Sequence, residues 1–244
     1  MTSPHQNLLG ISGAVDTEET DPNFNQTVLL LHGDGTNGGQ NNSFLDSSTN
    51  NFSITRNGNT TQGTFNPFMG DGQYSVRFEQ TAGESGDDLE FTGLNFTNTG
   101  SFCVELFFYK KELGQTNIMF SSDTNDRIQI YIDNSNQFGL NMGGGGTPTF
   151  LVTSGISANE WHHFCITRDS SNNVRGFIDG VLKAYKTSIT SNQVLNDIHI
   201  GSQKNSNHHT DGIISNVRFV ASSMPSTYDT SETATGTTCF TIPS

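Results

Sequence analysis

Basic residues are few. The 244-residue chain carries 11 Lys and Arg against 24 Asp and Glu, a formal net charge of −13. Scattered bases in that number cannot line a positive track for phosphates, which excludes a nucleic-acid binder. Long apolar runs are missing as well. No stretch approaches the ~18 residues of a membrane-crossing helix, so membrane insertion by a helix is excluded. Cysteine occurs only three times, at Cys103, Cys165 and Cys239. An odd number without framework spacing excludes a disulfide-stapled scaffold. Cys103 and Cys165 sit in apolar, strand-like runs and read as small core residues in the reduced state. Good helix formers are scarce, whereas Asn (26), Thr (30), Ser (26) and Gly (26) make up 108 of the 244 residues. These four types are mediocre to poor inside helices and favoured in turns, which leaves turn-rich β structure.

The apolar residues that are present alternate. Ile128, Ile130 and Ile132 interleave with Gln129 and Tyr131. A turn at Asp133–Asn136 follows, and then Phe138, Leu140 and Met142 take up the period of a second strand. Val174–Ile178 and Val181–Tyr185 flank Asp179-Gly180, a two-residue hairpin signal whose type I′ turn needs positive φ at both positions. Phe102, Val104, Leu106 and Phe108 form one face of a longer strand, with Cys103, Glu105, Phe107 and Tyr109 on the other. Further strands are expected at Val28–Leu31, Tyr74–Phe78, Trp161–Arg168, Ile198–Ile200 and Ile213–Val220. Many short strands without a convincing helix predict an all-β antiparallel sandwich.

Both ends are polar and aperiodic. Residues 1–26 read as an extended arm, 27–220 as the sandwich and 221–244 as a C-terminal tail. The opening MTSPHQNLLG has neither the basic nor the apolar region of a secretory signal, so assembly in a reducing cytoplasm is expected. Leu8, Leu9, Ile11, Val15 and Phe24 are the arm's apolar anchors for a partner.

The stretch Glu160-Trp161-His162-His163-Phe164-Cys165-Ile166-Thr167-Arg168-Asp169, followed by Phe177-Ile178-Asp179-Gly180-Val181-Leu182, resembles the signature of laminin G-like, concanavalin A-like jelly-roll domains. Ser101–Phe107, Ile198–Gly201 and Asp211–Phe219 resemble further strands of that family in the right order, with Phe107 where a Trp is usual. Leu29–Thr36, with Asp46-Ser47-Ser48, resembles versions found in tail and capsid-associated proteins of marine and cyanobacterial tailed bacteriophages. The resemblance covers about residues 27–220. It implies the jelly-roll fold, which hosts lectins, hydrolases and spacers alike.

Several groups are candidates for chemistry. Hydrolases on this fold place two Glu and an Asp in alternation on one strand. Here Asp88 and Glu90 share a face, but the third carboxylate of that strand is missing, and no catalytic residue is expected. The acidic stretch Glu84–Glu90 reads instead as a solvated turn. The resemblance implies at most a rim Ca²⁺ site of Asp side chains and loop carbonyls, with Asp71 and Asp211 as candidate ligands; no other cofactor is expected. His208-His209 reads as an exposed polar loop, and His162-His163 as a packing motif with one imidazole on each side of a strand. Phe65, Phe68, Tyr74 and Phe150 are candidates for a sugar-stacking platform.

The functional expectation is therefore a non-enzymatic virion structural protein of a tailed bacteriophage, either a capsid decoration or a tail-associated subunit. It would be homo-oligomeric and held to capsid or tail subunits through the arm. The alternative is a receptor-binding or lectin module that recognises host glycans.

Overall fold

Alternation of apolar and polar residues makes each strand two-faced, and two such sheets must bury their apolar faces against each other. The computed structural model describes residues 21–33, 43–68, 74–79, 86–98, 100–122, 128–143, 147–191, 193–203 and 208–242. Within them the strands are β1 (Thr27–Leu31), β2 (Ile54–Asn57), β3 (Thr61–Gly63), β4 (Ser75–Phe78) and β5 (Asp88–Asn98). Next come β6 (Phe102–Lys110), β7 (Asn117–Ser122), β8 (Ile128–Ile132), β9 (Gln137–Met142) and β10 (Phe150–Thr153). The last are β11 (Trp161–Arg168), β12 (Val174–Ile178), β13 (Val181–Lys186), β14 (Gln193–Ile200) and β15 (Gly212–Ala221). Two 3₁₀ turns, Phe24–Gln26 and Ser226–Tyr228, are the helical elements among the described residues.

An eight-stranded antiparallel sheet runs β13-β12-β11-β6-β15-β4-β3, with β1 also pairing β15. A seven-stranded sheet runs β10-β9-β8-β7-β14-β5-β2. The main core lies between them and includes Phe91, Phe108, Phe120, Phe138, Phe164 and Phe219, all essentially inaccessible to solvent. The expected hairpins are present. Asp179 and Gly180 take φ of 51° and 76°, as type I′ requires. Asp133 braces the β8–β9 turn by accepting the backbone N–H of Ser135 and Gln137. The stretch expected as a solvated acidic turn is corrected in part, because Asp88 and Glu90 lie inside the eleven-residue β5.

The signature around Trp161 is explained by packing. His162 Nδ1 meets Asp179 Oδ2 at 2.6 Å, and Asp179 Oδ1 accepts the backbone N–H of His163 at 2.8 Å. The hairpin turn is thus tied to the start of β11. Asp46 braces the opening segment in the same way, accepting the backbone N–H groups of Leu30, Ser48 and Phe52.

The described residues near each end, 21–26 and 222–242, pack on the outer face of the eight-stranded sheet, where 221–244 was expected as a tail and 21–26 as part of an arm. Residues 180–182 and 236–239 exchange backbone hydrogen bonds, so the C-terminal segment lines the edge strand β13. Tyr228 fills a second small core with Cys103, Cys165, Phe177, Leu182 and Val220, against which Met224, Cys239 and Phe240 also pack. At the other end Arg218 Nη2 donates to the Asp21 carboxylate. These anchors are too widely spaced to show as a period, yet each fills a gap in the sheet surface.

Candidate functional site

Strand register brings together side chains far apart in sequence. Across the outer face of the seven-stranded sheet, Thr55 lies opposite Glu90, Glu90 opposite His199, His199 opposite Ser121, Ser121 opposite Gln129, and Gln129 opposite Asn141. One polar row therefore crosses six strands, a span of about 24 Å at ~4.8 Å per strand. Ser121, Gln129, Asn141 and His199 are buried, whereas the Glu90 side chain is 22% exposed and Thr55 is open to solvent. Tyr131 and the exposed Leu151 share this face, and the Tyr131 ring lies over Gly139, where an added Cβ would meet it at 2.2 Å.

Hydrogen bonds fix the row. Asn141 Nδ2 donates to Gln129 Oε1 at 2.6 Å, and Gln129 Nε2 donates to Gln203 Oε1 at 2.9 Å. Ser121 Oγ donates to the Ser202 carbonyl at 2.8 Å, and Ser202 Oγ donates to Asp88 Oδ2 at 2.7 Å. His199 Nδ1 meets the same Asp88 oxygen at 2.9 Å, and its Nε2 faces Glu90 Oε1 at 3.8 Å. Asn141 Oδ1 and His199 Nε2 are buried without a hydrogen-bond partner among the described residues. Burial pushes the Asp88 carboxyl up, but hydrogen bonds from His199, Ser202 and Asn57 outweigh it and hold the group below its ordinary value.

The two-residue period correctly put Asp88 and Glu90 on one face. It missed Asp197, which stands on the same face of the neighbouring β14, opposite Thr92. It also missed His199, Ser121, Gln129 and Asn141, whose only sequence signal is a polar residue at every second position of an otherwise apolar strand.

The other candidates scatter. Phe150 is corrected: it is core, in edge contact with Phe138, and offers no platform. Tyr74 is half-buried, and its carbonyl accepts the Ser215 hydroxyl. Phe68 lies edge-on to Phe107, and Phe65 lies against Tyr109 and Trp161. Of the candidate calcium ligands, Asp211 forms an ion pair with Lys111 at 2.7 Å, and Asp71 lies outside the described residues. No group of three or more metal-binding side chains occurs among the described residues. Leu8, Leu9, Ile11 and Val15 also lie outside them, and Phe24 is half-buried in the first 3₁₀ turn. His163 and His162 point to opposite sides of β11, the former into the second small core and the latter to Asp179. His209 packs against Gly86, whose backbone N–H it accepts at 3.3 Å, while His208 is exposed.

Glu105, on the outward face of β6, is the centre of a buried network. It meets Arg218 Nη1 and His163 Nε2, each at 3.3 Å, and accepts the Tyr228 hydroxyl. This network joins strands to both terminal segments and is closed off from solvent, so its role is structural.

Solved structures of similar architecture include binding domains of botulinum neurotoxins. One, described as "Cell entry of botulinum neurotoxin type C is dependent upon interaction with two ganglioside molecules", superposes with a TM-score of 0.61 at 16% identity, covering 82% of this chain and 49% of that one. A second, the binding domain of botulinum neurotoxin DC in complex with rat synaptotagmin II, gives 0.62 at 17%, covering 82% and 49%. The receptor-binding domain of botulinum neurotoxin D gives 0.61 at 14%, covering 83% and 50%. The chain thus spans about half the length of these relatives, and the likeness is one of fold. No curated protein matches it in sequence. The family model described as the concanavalin A-like lectin/glucanases superfamily, of laminin G type, matches residues 82–227. With more than half of its length matched and two antiparallel sheets in the jelly-roll arrangement, the chain belongs to the concanavalin A-like lectin/glucanase superfamily.

Proposed function

We propose that the chain is a non-enzymatic glycan-binding module, and that the outer face of its seven-stranded sheet is the recognition surface. The observation that carries this reading is the polar row from Thr55 to Asn141. At its accessible end the Glu90 carboxylate and the Thr55 hydroxyl suit the hydroxyls of a saccharide, and Tyr131 and the exposed Leu151 on the same face offer apolar surface for its C–H groups. A net charge of −13 disfavours anionic polysaccharides, so the ligand class is a neutral oligosaccharide. The described uses of the botulinum domains, interaction with gangliosides and with synaptotagmin, support recognition as a use of this architecture.

Hydrolysis is disfavoured because the strand lacks the third carboxylate of the hydrolase pattern: Asp88 and Glu90 share one face of β5, and Asp88 is already engaged by His199 and Ser202. The test is an array of neutral oligosaccharides together with a reducing-sugar assay on the same compounds. Binding without sugar release supports the reading. Release that disappears in Glu90→Gln would make the protein a hydrolase.

A second reading concerns where the module is carried. The likeness of Leu29–Thr36 and Asp46–Ser48 to phage tail and capsid-associated proteins favours a structural subunit of a tailed-bacteriophage virion. In that reading residues 1–20 attach the sandwich to capsid or tail subunits, with Leu8, Leu9, Ile11 and Val15 as anchors. Glycan recognition would then serve contact with the host.

A further inference from the structure

All three cysteines of the chain converge on the small core of the eight-stranded sheet's outer face. Cys103 on β6 and Cys165 on β11 are diagonal neighbours in one ladder, since Cys103 lies opposite Thr167 and Cys165 opposite Glu105. Both side chains are buried, and their Sγ atoms are 3.6 Å apart. Bonded sulfurs lie about 2 Å apart, so an approach of about 1.5 Å would join them. The C-terminal segment covers the pair. Tyr228 packs in the same core, and the Phe240 ring lies 4.8 Å from Tyr228 and 5.1 Å from Phe177. This cover is thin: of residues 222–242 only Pro225 and Tyr228 are buried. Three backbone hydrogen bonds tie the segment to Gly180 and Leu182, and the Tyr228 hydroxyl ties it to Glu105. Arg175 Nε also donates to the Glu232 carbonyl, and Ser223 Oγ to Asn23. With so much of it exposed, the segment opens more readily than the sheets beneath.

While the segment is docked, the two thiols are inert. No oxidant reaches them, and burial raises their pKa, whereas only a thiolate attacks. Lifting Tyr228 removes both barriers and leaves the sulfurs already side by side. We propose that Cys103 and Cys165 are a redox-active dithiol, which a small-molecule disulfide such as glutathione disulfide converts to an intramolecular disulfide when the C-terminal segment opens. One protein thiolate attacks glutathione disulfide and expels a glutathione thiolate, leaving a mixed disulfide. The second protein thiolate attacks the protein-side sulfur of that bond and expels the other glutathione. The protein gives up two electrons and two protons, and glutathione disulfide becomes two thiols. Joining the sulfurs shifts Cys165 relative to Glu105, its register partner and the acceptor of the Tyr228 hydroxyl. The bridge therefore weakens the hold on the segment, and by linkage the docked segment favours the dithiol.

The test is incubation of the folded full chain with glutathione disulfide, followed by an acid quench, digestion and mass spectrometry. A crosslinked peptide pair holding Cys103 and Cys165 should appear, and dithiothreitol should remove it. Tyr228→Phe keeps the ring and loses the hydrogen bond to Glu105, so crosslinking should quicken about tenfold, the factor for one hydrogen bond to a charged group. Ile130→Val trims the main core between the sheets and should leave the rate unchanged, which separates opening of the segment from unfolding of the domain. Glutathione adducts on Cys239 without any crosslink overturn the proposal. So does an unaltered rate in Tyr228→Phe, or an equal acceleration in Ile130→Val.

Discussion

Tyr228, in the C-terminal segment, donates its phenolic hydrogen to the carboxylate of Glu105 at the centre of the eight-stranded sheet. Burial, and then the Glu105 charge, push the Tyr228 hydroxyl well above its ordinary pKa, so it remains a donor at any working pH. Removing only the hydroxyl, in Tyr228→Phe, should cost about 1.5–3 kcal/mol, the range for a hydrogen bond to a charged group. Tyr228→Ala should cost more, about 3–5 kcal/mol, by opening a cavity in the second small core. Urea denaturation of both variants checks this order. Equal stability of Tyr228→Phe and the wild type would mean that packing alone holds the segment.

Acid should loosen the fold through the same residue. Burial pushes the Glu105 carboxyl up, but the His163 hydrogen bond and charge, followed by Arg218 and Tyr228, outweigh it and hold the group below its ordinary value. Asp88 is lowered likewise. A depressed folded-state pKa contributes stability above the unfolded-state value, and that contribution fades as pH falls through the folded-state value. Thermal midpoints should therefore hold from neutrality to about pH 5 and then fall steadily as the carboxylates protonate. In Asp88→Asn the fall should be shallower. An identical pH slope in that variant would mean that Asp88 takes no part.

Gly180 combines a left-handed backbone with a close approach. Its φ is +76°, and an added Cβ would lie 2.1 Å from the Phe240 carbonyl oxygen. Gly180→Ala should destabilise the chain by more than about 1 kcal/mol and lift the C-terminal segment from β13. The readout is the alkylation rate of Cys239, which packs in that segment. A rate equal to the wild type's would show that the segment adapts without detaching.

The three cysteines are free, although Cys103 and Cys165 Sγ lie 3.6 Å apart. Burial raises the pKa of both thiols. In the native protein, maleimide should label Cys239 first. After denaturation without reductant, all three should react. A single reactive thiol would mean that Cys103 and Cys165 are bridged.

The virion reading has its own test. Deleting residues 1–20 should leave the thermal midpoint of the isolated domain nearly unchanged and abolish incorporation into particles. Incorporation at the wild-type level would place the docking surface on the sandwich itself.

Much of the fold was legible because β structure writes itself in period two. The β8–β9 hairpin and the Asp179-Gly180 turn could be read residue by residue. β5 and β7 could not. β5 begins inside an acidic stretch, and β7 interrupts its alternation with a bulge between Ile118 and Phe120. The polar row was half legible. Asp88 and Glu90 stand two residues apart on one strand, whereas His199, Ser121, Gln129 and Asn141 reach them only through strand order, and register is a property of the sheet. The C-terminal segment was misread for a related reason: Tyr228 and Phe240 are single anchors separated by polar residues, and their burial depends on gaps in a surface that the sequence does not draw.

The central claim is that the polar row binds a neutral glycan, and isothermal titration with the best oligosaccharide from the array tests it most directly. Glu90→Gln and Thr55→Ala would be compared with the wild type, with circular dichroism to confirm the fold. Each substitution removes a polar partner from the row, and a hydrogen bond of this kind contributes about 1–3 kcal/mol, so affinity should fall at least about fivefold in each variant. EDTA should leave the wild-type affinity unchanged. Wild-type affinity in both variants, or no binding of any neutral oligosaccharide, would contradict the account.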